Sequence, residues 1–261
     1  MLTVEQIAHF QAFGFLVLRD LFSRTEADKI RSESDKVMTL VHGGTPFTGK
    51  SSRTVFQLFE RSSILVGLLE DERIYGLAES LLGPDFILMS TEGNRFVGET
   101  PWHSDGSTIP VPSIKVAWYL DSIQKDTGCL RVIPGSHRLG RFRDCLLEAL
   151  HFEGSTVNHN PFGIPGSELP CQALESSPGD VVVISEPLYH ASFGGRPGRR
   201  MNAINFSQAV ITEEQEDGLR KAYDGFTHLL HPSETLVNSD NPRVRAMVSK
   251  LVDLGFETIS V

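Results

Sequence analysis

The chain has 261 residues, with 24 basic and 33 acidic side chains and a formal net charge of −9. This length is enough for one large domain with a full hydrophobic core, so the fold needs no disulfide scaffold. The acidic balance argues against a nucleic acid or an anionic membrane as partner, because phosphate surfaces attract basic proteins.

The three cysteines follow no metal-binding or disulfide pattern, which is typical of a reducing compartment. The first residues lack the basic start and apolar run of a signal peptide, and no apolar stretch of about 18 residues occurs. We therefore expect a cytoplasmic protein without a membrane span.

Residues from about 1 to 85 are predicted to be mainly helical. Apolar side chains recur there at helical spacing, between residues that cap helices and glycines that end them. The predicted elements are a helix capped by Thr3 and ended by Gly14, a strand over Phe15–Leu18, a helix beginning near Thr25, and a helix over 71–82.

The pattern changes between about 86 and 210, where short apolar runs alternate with Gly, Pro, Asn and Asp. Strands are predicted over 86–89, 114–120, 130–133, 181–184 and 203–206. Strands at this spacing indicate a barrel or jelly roll. Residues 151–170 are predicted to be a lid, a binding loop or a disordered segment. Residues from about 211 to 261 are predicted to be helical, with a last helix starting at Asn241-Pro242. No repeat or linker divides 1–261, so we expect a single domain.

A candidate metal site begins in the segment Pro101-Trp102-His103-Ser104-Asp105-Gly106. In a strand, side chains two residues apart point to the same face, so His103 and Asp105 would share the interior of a barrel. Burying an imidazole beside a carboxylate is costly unless something binds both, and a divalent metal does so. His190, which follows a Gly-Asp-apolar strand, supplies a third ligand. The three residues together make a facial triad for non-haem Fe(II).

Two arginines, Arg199 and Arg200, precede the strand predicted over 203–206. The arginine guanidinium is a rigid fork that pairs with a carboxylate through two hydrogen bonds. An arginine deep in a barrel beside iron suits 2-oxoglutarate, whose keto acid end chelates the metal. Strand alternation turns only one of the two arginines inward.

Several motifs, in order and at their spacing, resemble the phytanoyl-CoA dioxygenase (PhyH-like) family of Fe(II)/2-oxoglutarate-dependent oxygenases along nearly the whole chain. They are the opening 2–19, Trp102-His103-Ser104-Asp105, the segment 127–138 that ends in Pro-Gly-Ser-His-Arg, and 178–192 with His190. The resemblance implies a mostly β protein with flanking α-helices: a double-stranded β-helix (jelly roll, cupin-like) core with N- and C-terminal helices packed outside.

The resemblance also implies roles for single residues. His103, Asp105 and His190 match the metal ligands and catalytic centre, with Fe(II), 2-oxoglutarate and O₂ as cofactors. Arg200 matches the 2-oxoglutarate anchor best, and Arg199 stays open as the alternative. Asn94 and Thr91, on the preceding strand, are expected to assist the co-substrate. Related halogenases lack the carboxylate of Asp105, so hydroxylation, or a variant such as desaturation or epoxidation, is expected.

The expected substrate is a small, partly apolar organic molecule, for instance a natural-product intermediate. Its cavity is predicted to be walled by residues 41–53, 89–96, 107–112 and 151–170. Two other functions remain open: a cupin-like metal-dependent isomerase or epimerase, which needs no arginine anchor, and a non-catalytic β-barrel that binds a ligand. The oligomeric state, monomer or homodimer, is also open.

Overall fold

Two antiparallel sheets form the centre of the molecule in this computed structural model, which describes residues 1–105, 110–150, 158–225 and 231–261. Within those residues the strands, in chain order, are β1 (Phe15–Leu18), β2 (Arg53–Phe56), β3 (Ile87–Phe96), β4 (Thr100–His103), β5 (Ser113–Tyr119), β6 (Leu130–Val132), β7 (Gln172–Leu174), β8 (Val181–Ser185), β9 (His190–Ser192) and β10 (Arg199–Ser207). The large sheet has the order β1-β8-β5-β10-β3-β2, and the small sheet has the order β4-β9-β6-β7.

Helices precede, interrupt and follow these strands. In the described ranges they are α1 (Val4–Phe13), α2 (Arg24–Val41), α3 (Ser63–Glu70), α4 (Glu72–Leu82), α5 (Arg141–Leu150), α6 (Glu213–Gly225), α7 (Glu234–Val237) and α8 (Pro242–Asp253). The predicted start and end of α1 are confirmed: Thr3 forms a capping box with Gln6, and Gly14 ends the helix at a φ of 82°. No helix in the described ranges is long and apolar enough to cross a membrane.

The main hydrophobic core lies between the large sheet and the helices, on what we call the outer face of that sheet. Val116, Trp118, Ile204 and Phe206 of the central strands pack there with side chains of α2, α3, α4 and α8. The last helix, α8, buries Val244, Met247, Val248 and Leu251, whereas Val252 is 39 % exposed.

The opposite, inner face of the large sheet faces the small sheet. A cavity of ≈ 170 Å³ lies between them and is lined by residues of both, among them Ala117 and Val182 of the large sheet and Leu130 and Ala191 of the small one. The predicted arrangement is confirmed at this level: antiparallel sheets with helices flanking them.

Some elements were not predicted. The short strand β2 pairs only with β3 at the edge of the large sheet, so its four residues carry no alternation long enough to recognise. The helix α5 lies between the strand predicted over 130–133 and the loop predicted over 151–170. Residues 107–109 and 151–157, which we expected to wall the substrate cavity, lie outside the described residues.

Candidate active site

His103, Asp105 and His190 come together at the cavity between the sheets. Their ligand atoms all lie within 4.8 Å of one another. Asp105 Oδ1 is 3.8 Å from Nε2 of His103, and Asp105 Oδ2 is 3.6 Å from Nε2 of His190. Two imidazoles and one carboxylate at these separations have the donor set and geometry of a divalent metal site.

The sheet pairing explains why the two histidines meet. His103 ends β4 and is paired directly with His190, the first residue of β9, so their rings stand side by side with centroids 4.2 Å apart. Strand alternation predicted that Asp105 lies on the same strand as His103. It lies instead in the bend that follows the strand. Its backbone N–H donates to the Glu186 carbonyl over 2.9 Å, and this bond turns the bend toward the cavity.

Each histidine is oriented through its second ring nitrogen. Nδ1 of His103 lies 2.8 Å from the Pro101 carbonyl oxygen, and Nδ1 of His190 lies 2.8 Å from the Leu188 carbonyl oxygen. A carbonyl only accepts hydrogen bonds, so Nδ1 carries the proton and Nε2 keeps its lone pair. Both Nε2 atoms are therefore ready to bind a metal ion.

Burial and local charge favour the metal-binding forms of these groups. Burial, followed by the neighbouring His103, lowers the pKa of His190 to about 4, so this imidazole is neutral at neutral pH. Burial alone raises the pKa of Asp105, but Lys115 and the two histidines outweigh it and hold the pKa well below its usual range. The carboxylate is therefore ionised without a metal.

Lys115 is a site residue that the sequence analysis missed. It lies on the inner face of β5 and donates to Asp105 Oδ2 over 2.8 Å. Its Nζ is also 3.4 Å from Oε1 of Glu92, on the neighbouring part of the cavity wall. A signal was present: a lysine in the otherwise apolar predicted strand over 114–120 is unusual, because lysine is seldom buried without a partner.

The two consecutive arginines lie on opposite faces of the large sheet. Arg199 lines the cavity with the three candidate ligands and is 5 % exposed. Arg200 lies on the outer face, where Nε donates to Asp121 over 2.9 Å and Nη1 donates to Asp35 over 2.6 Å. Strand alternation separates them as expected, but the arginine turned inward is Arg199 and not Arg200. This placement corrects our preference for Arg200 as the 2-oxoglutarate anchor.

The guanidinium of Arg199 occupies space that two glycines leave open. A Cβ built on Gly128 would lie 1.9 Å from Arg199 Nη1, and one on Gly195 would lie 2.5 Å from it. Nε and Nη1 have no hydrogen-bond partner among the described residues, and the group stacks over Phe96 at 5.1 Å. A buried guanidinium with free donors fits a carboxylate ligand, since buried polar groups are normally paired.

The two residues of β3 expected to assist the co-substrate do not line the cavity. Thr91 faces outward, where its hydroxyl donates to Glu60 and accepts from the Phe59 backbone N–H. Asn94 faces inward, but its Nδ2 donates to Glu92 over 3.1 Å. Asn94 therefore bonds to Glu92, a residue of the cavity wall, and Thr91 bonds to residues beneath the outer face. Neither residue lines the cavity in which we expected them to assist the co-substrate.

Arg143 of α5 ties the two ligand-bearing segments together. Its Nη1 donates to the Ser136 and Pro187 carbonyl oxygens, both over 2.6 Å, and its Nη2 lies 3.4 Å from the Ser104 hydroxyl. Ser104 separates His103 from Asp105, and Pro187 precedes His190 in the turn after β8. One side chain therefore holds both segments in register.

A comparison with known protein families identifies the family of this chain. Residues 10–201 match the family model described as phytanoyl-CoA dioxygenase (PhyH). The chain belongs to the phytanoyl-CoA dioxygenase family. The predicted family and the predicted enzyme class, a dioxygenase, are thereby confirmed.

Relatives of this family member have similar sequences and folds. The ectoine dioxygenase of Nocardia farcinica is 28 % identical over 226 residues, covering 79 % of this chain and 70 % of that protein. HygX from Streptomyces hygroscopicus, solved with nickel and 2-oxoglutarate bound, superposes with a TM-score of 0.63 at 21 % identity, covering 82 % of this chain and 90 % of HygX. EctD from S. alaskensis with bound Fe gives a TM-score of 0.61 at 24 % identity, covering 79 % and 77 % of the two chains.

Proposed function

We propose that the protein is an Fe(II)/2-oxoglutarate-dependent dioxygenase that hydroxylates a small, partly apolar organic molecule. The observation that carries this proposal is the juxtaposition in one cavity of a His-Asp-His triad and a buried arginine with free donors. A metal-dependent isomerase without 2-oxoglutarate has no use for that arginine. We also infer that the two facing sheets are the halves of a double-stranded β-helix.

The side chains present fit the metal and the co-substrate. Nε2 of His103, Nε2 of His190 and one oxygen of Asp105 would hold Fe(II) on one face and leave its other positions open. The Arg199 fork would pair with the far carboxylate of 2-oxoglutarate in the space beside Gly128 and Gly195. When bound, Fe(II) and 2-oxoglutarate supply the oxidation of a substrate C–H bond by O₂, with release of succinate and CO₂.

The chain itself contributes orientation and a dry site. The Nδ1 bonds to the Pro101 and Leu188 carbonyls keep each imidazole in one tautomer and one orientation. The apolar side chains of Leu130, Val182 and Ile184 line the cavity and exclude water from the reacting groups. Asp105 supplies the carboxylate that favours hydroxylation over halogenation.

The substrate is proposed to be small because the cavity measures only ≈ 170 Å³. The name of the relative from Nocardia farcinica points to ectoine as one compound to assay. The broader expectation, a natural-product intermediate, stays a prediction.

The test is the visible spectrum of the anaerobic protein with Fe(II) and 2-oxoglutarate. A keto acid chelated to Fe(II) gives a weak charge-transfer band, which we expect in the wild type and in Asp85→Ala, a control carboxylate on the surface. The band should be lost in Asp105→Ala while the circular dichroism spectrum is kept. Fe(II) binding without the band would favour the isomerase, and no metal binding at all would favour a non-catalytic binding protein.

A further inference from the structure

Lys115 spans two carboxylates inside the cavity. Its Nζ is 2.8 Å from Asp105 Oδ2 and 3.4 Å from Glu92 Oε1. The side chains of Lys115, Glu92 and Asp105 are 19 %, 11 % and 30 % exposed, so a largely buried cation lies between one largely buried and one partly buried anion. All three residues line the same cavity as the two histidines.

Glu92 is held so that one oxygen remains directed at Lys115. It lies on β3, opposite Ala203 of β10 and so on the inner face. Asn94 donates from Nδ2 to Oε2 over 3.1 Å, which leaves Oε1 for the lysine. Glu92 is thus a carboxylate outside the three-residue ligand group, separated from Asp105 by a single ammonium group.

We propose that Lys115 is a positioning residue that limits the metal site to three protein ligands. The inference rests on the proposed function, because it needs a metal ion on the triad. A protonated lysine offers donors and no lone pair, so it occupies carboxylate oxygens without joining the coordination sphere. It engages Asp105 Oδ2, which leaves Oδ1 to bind the ion, and it keeps Glu92 Oε1 away from the ion.

The number of ligands matters to this chemistry. A facial triad leaves room for a bidentate keto acid and for O₂, whereas a fourth carboxylate would fill one of those positions. Carboxylates bind divalent cations well, and an uncompensated buried carboxylate would be drawn to the ion. Without Lys115, Glu92 is therefore expected to move onto the metal.

The experiment uses Co(II) alone, since its visible spectrum reports ligand number and needs no 2-oxoglutarate. In Lys115→Met we expect Co(II) to bind about tenfold more tightly, because a nearby positive charge is lost and a ligand is gained. The visible spectrum of bound Co(II) should also change in band position and intensity, because the number of ligands changes. The double variant Lys115→Met/Glu92→Gln should return the spectrum toward that of the wild type, and Lys29→Met, an exposed lysine on α2, should alter neither.

Weaker or unchanged Co(II) binding by folded Lys115→Met would overturn the proposal, as would a changed spectrum that Glu92→Gln does not reverse. If Lys115→Met does not fold, Lys115→Met/Glu92→Met removes the buried pair together and should show the wild-type spectrum; an altered spectrum there also overturns it. A wild type that binds no Co(II) would instead remove the proposed function itself, so the two failures are distinguishable.

Discussion

The two faces of the large sheet carry similar polar side chains, but these side chains differ in their hydrogen-bond partners. On the outer face, Arg200 is paired with Asp35 and Asp121, and Nδ2 of Asn202 donates to the Ser34 hydroxyl over 2.6 Å. On the inner face, two donors of Arg199 have no partner in the described part of the chain.

For these two arginines, pairing within the protein, and not residue type, distinguishes the structural group from the candidate ligand-binding one. The Arg200 guanidinium is satisfied within the protein by the carboxylates of Asp35 and Asp121, and such pairing is the rule for polar groups that lose contact with water. Polar groups that face a cavity can instead be satisfied by a bound ligand. Adjacent arginines on one strand therefore have separate tasks.

The largest effect that sharpens this comparison is expected at Glu60, beneath the outer face. Burial raises the pKa of Glu60 to about 7, although the Thr91 hydroxyl bonded to it acts in the opposite direction. Because this folded-state pKa lies above the unfolded value of 4.5, its contribution to stability is full below pH 4.5 and is lost as the pH rises through 7.

Glu60→Gln should remove that loss, which is on the order of 3 kcal/mol between pH 5 and pH 8. Urea unfolding at both pH values measures it, with Glu70→Gln, an exposed glutamate of α3, as the control. Equal pH dependence in the wild type and in Glu60→Gln would show that Glu60 ionises normally in the folded protein.

On the inner face, Arg199→Met should weaken 2-oxoglutarate binding about 100-fold, since a charge-assisted carboxylate pair contributes roughly 1.5–3 kcal/mol. The dissociation constant is measured by titrating the visible band of the anaerobic Fe(II) protein. The free energy of unfolding should change little. A normal dissociation constant in Arg199→Met would assign the anchor to another residue.

The matched change on the outer face, Arg200→Met, should do the reverse. It leaves Asp121 without its bonded partner and lowers the free energy of unfolding by about 2 kcal/mol, as for a partly buried ion pair. Binding of 2-oxoglutarate should stay within about twofold of the wild type. If Arg200→Met and not Arg199→Met weakens 2-oxoglutarate binding, the two faces have been assigned the wrong way round.

The smallest effect is expected from Gly195→Ala. Its new Cβ would lie 2.5 Å from Arg199 Nη1 and from the Gly98 carbonyl oxygen, so the guanidinium and the loop must both shift. We expect 2-oxoglutarate to bind roughly fivefold more weakly, by the same titration. Gly67→Ala, in α3 with nothing near its Cβ, is the control and should leave binding unchanged. Unchanged 2-oxoglutarate binding in Gly195→Ala would show that the Arg199 guanidinium can accommodate the added Cβ without losing its ligand.

Much of the fold and part of the site could be predicted from local signals. Helix caps such as Thr3 and Gly14 act within a few residues, and apolar runs such as 181–184 are predictable because a buried central strand needs them. The short edge strand β2 could not be predicted, since its pairing with β3 is a contact between distant segments.

The sequence by itself determined the candidate ligands His103, Asp105 and His190, because their types, order and spacing match a family motif. It also determined that only one of Arg199 and Arg200 faces inward, because alternation is a local property of strands. Only the tertiary structure decided which one. That choice depends on which face of β10 the helix α2 covers and which face the small sheet leaves open around the cavity. The same long-range packing brings Lys115 and Glu92 beside Asp105, a contact that no local spacing encodes.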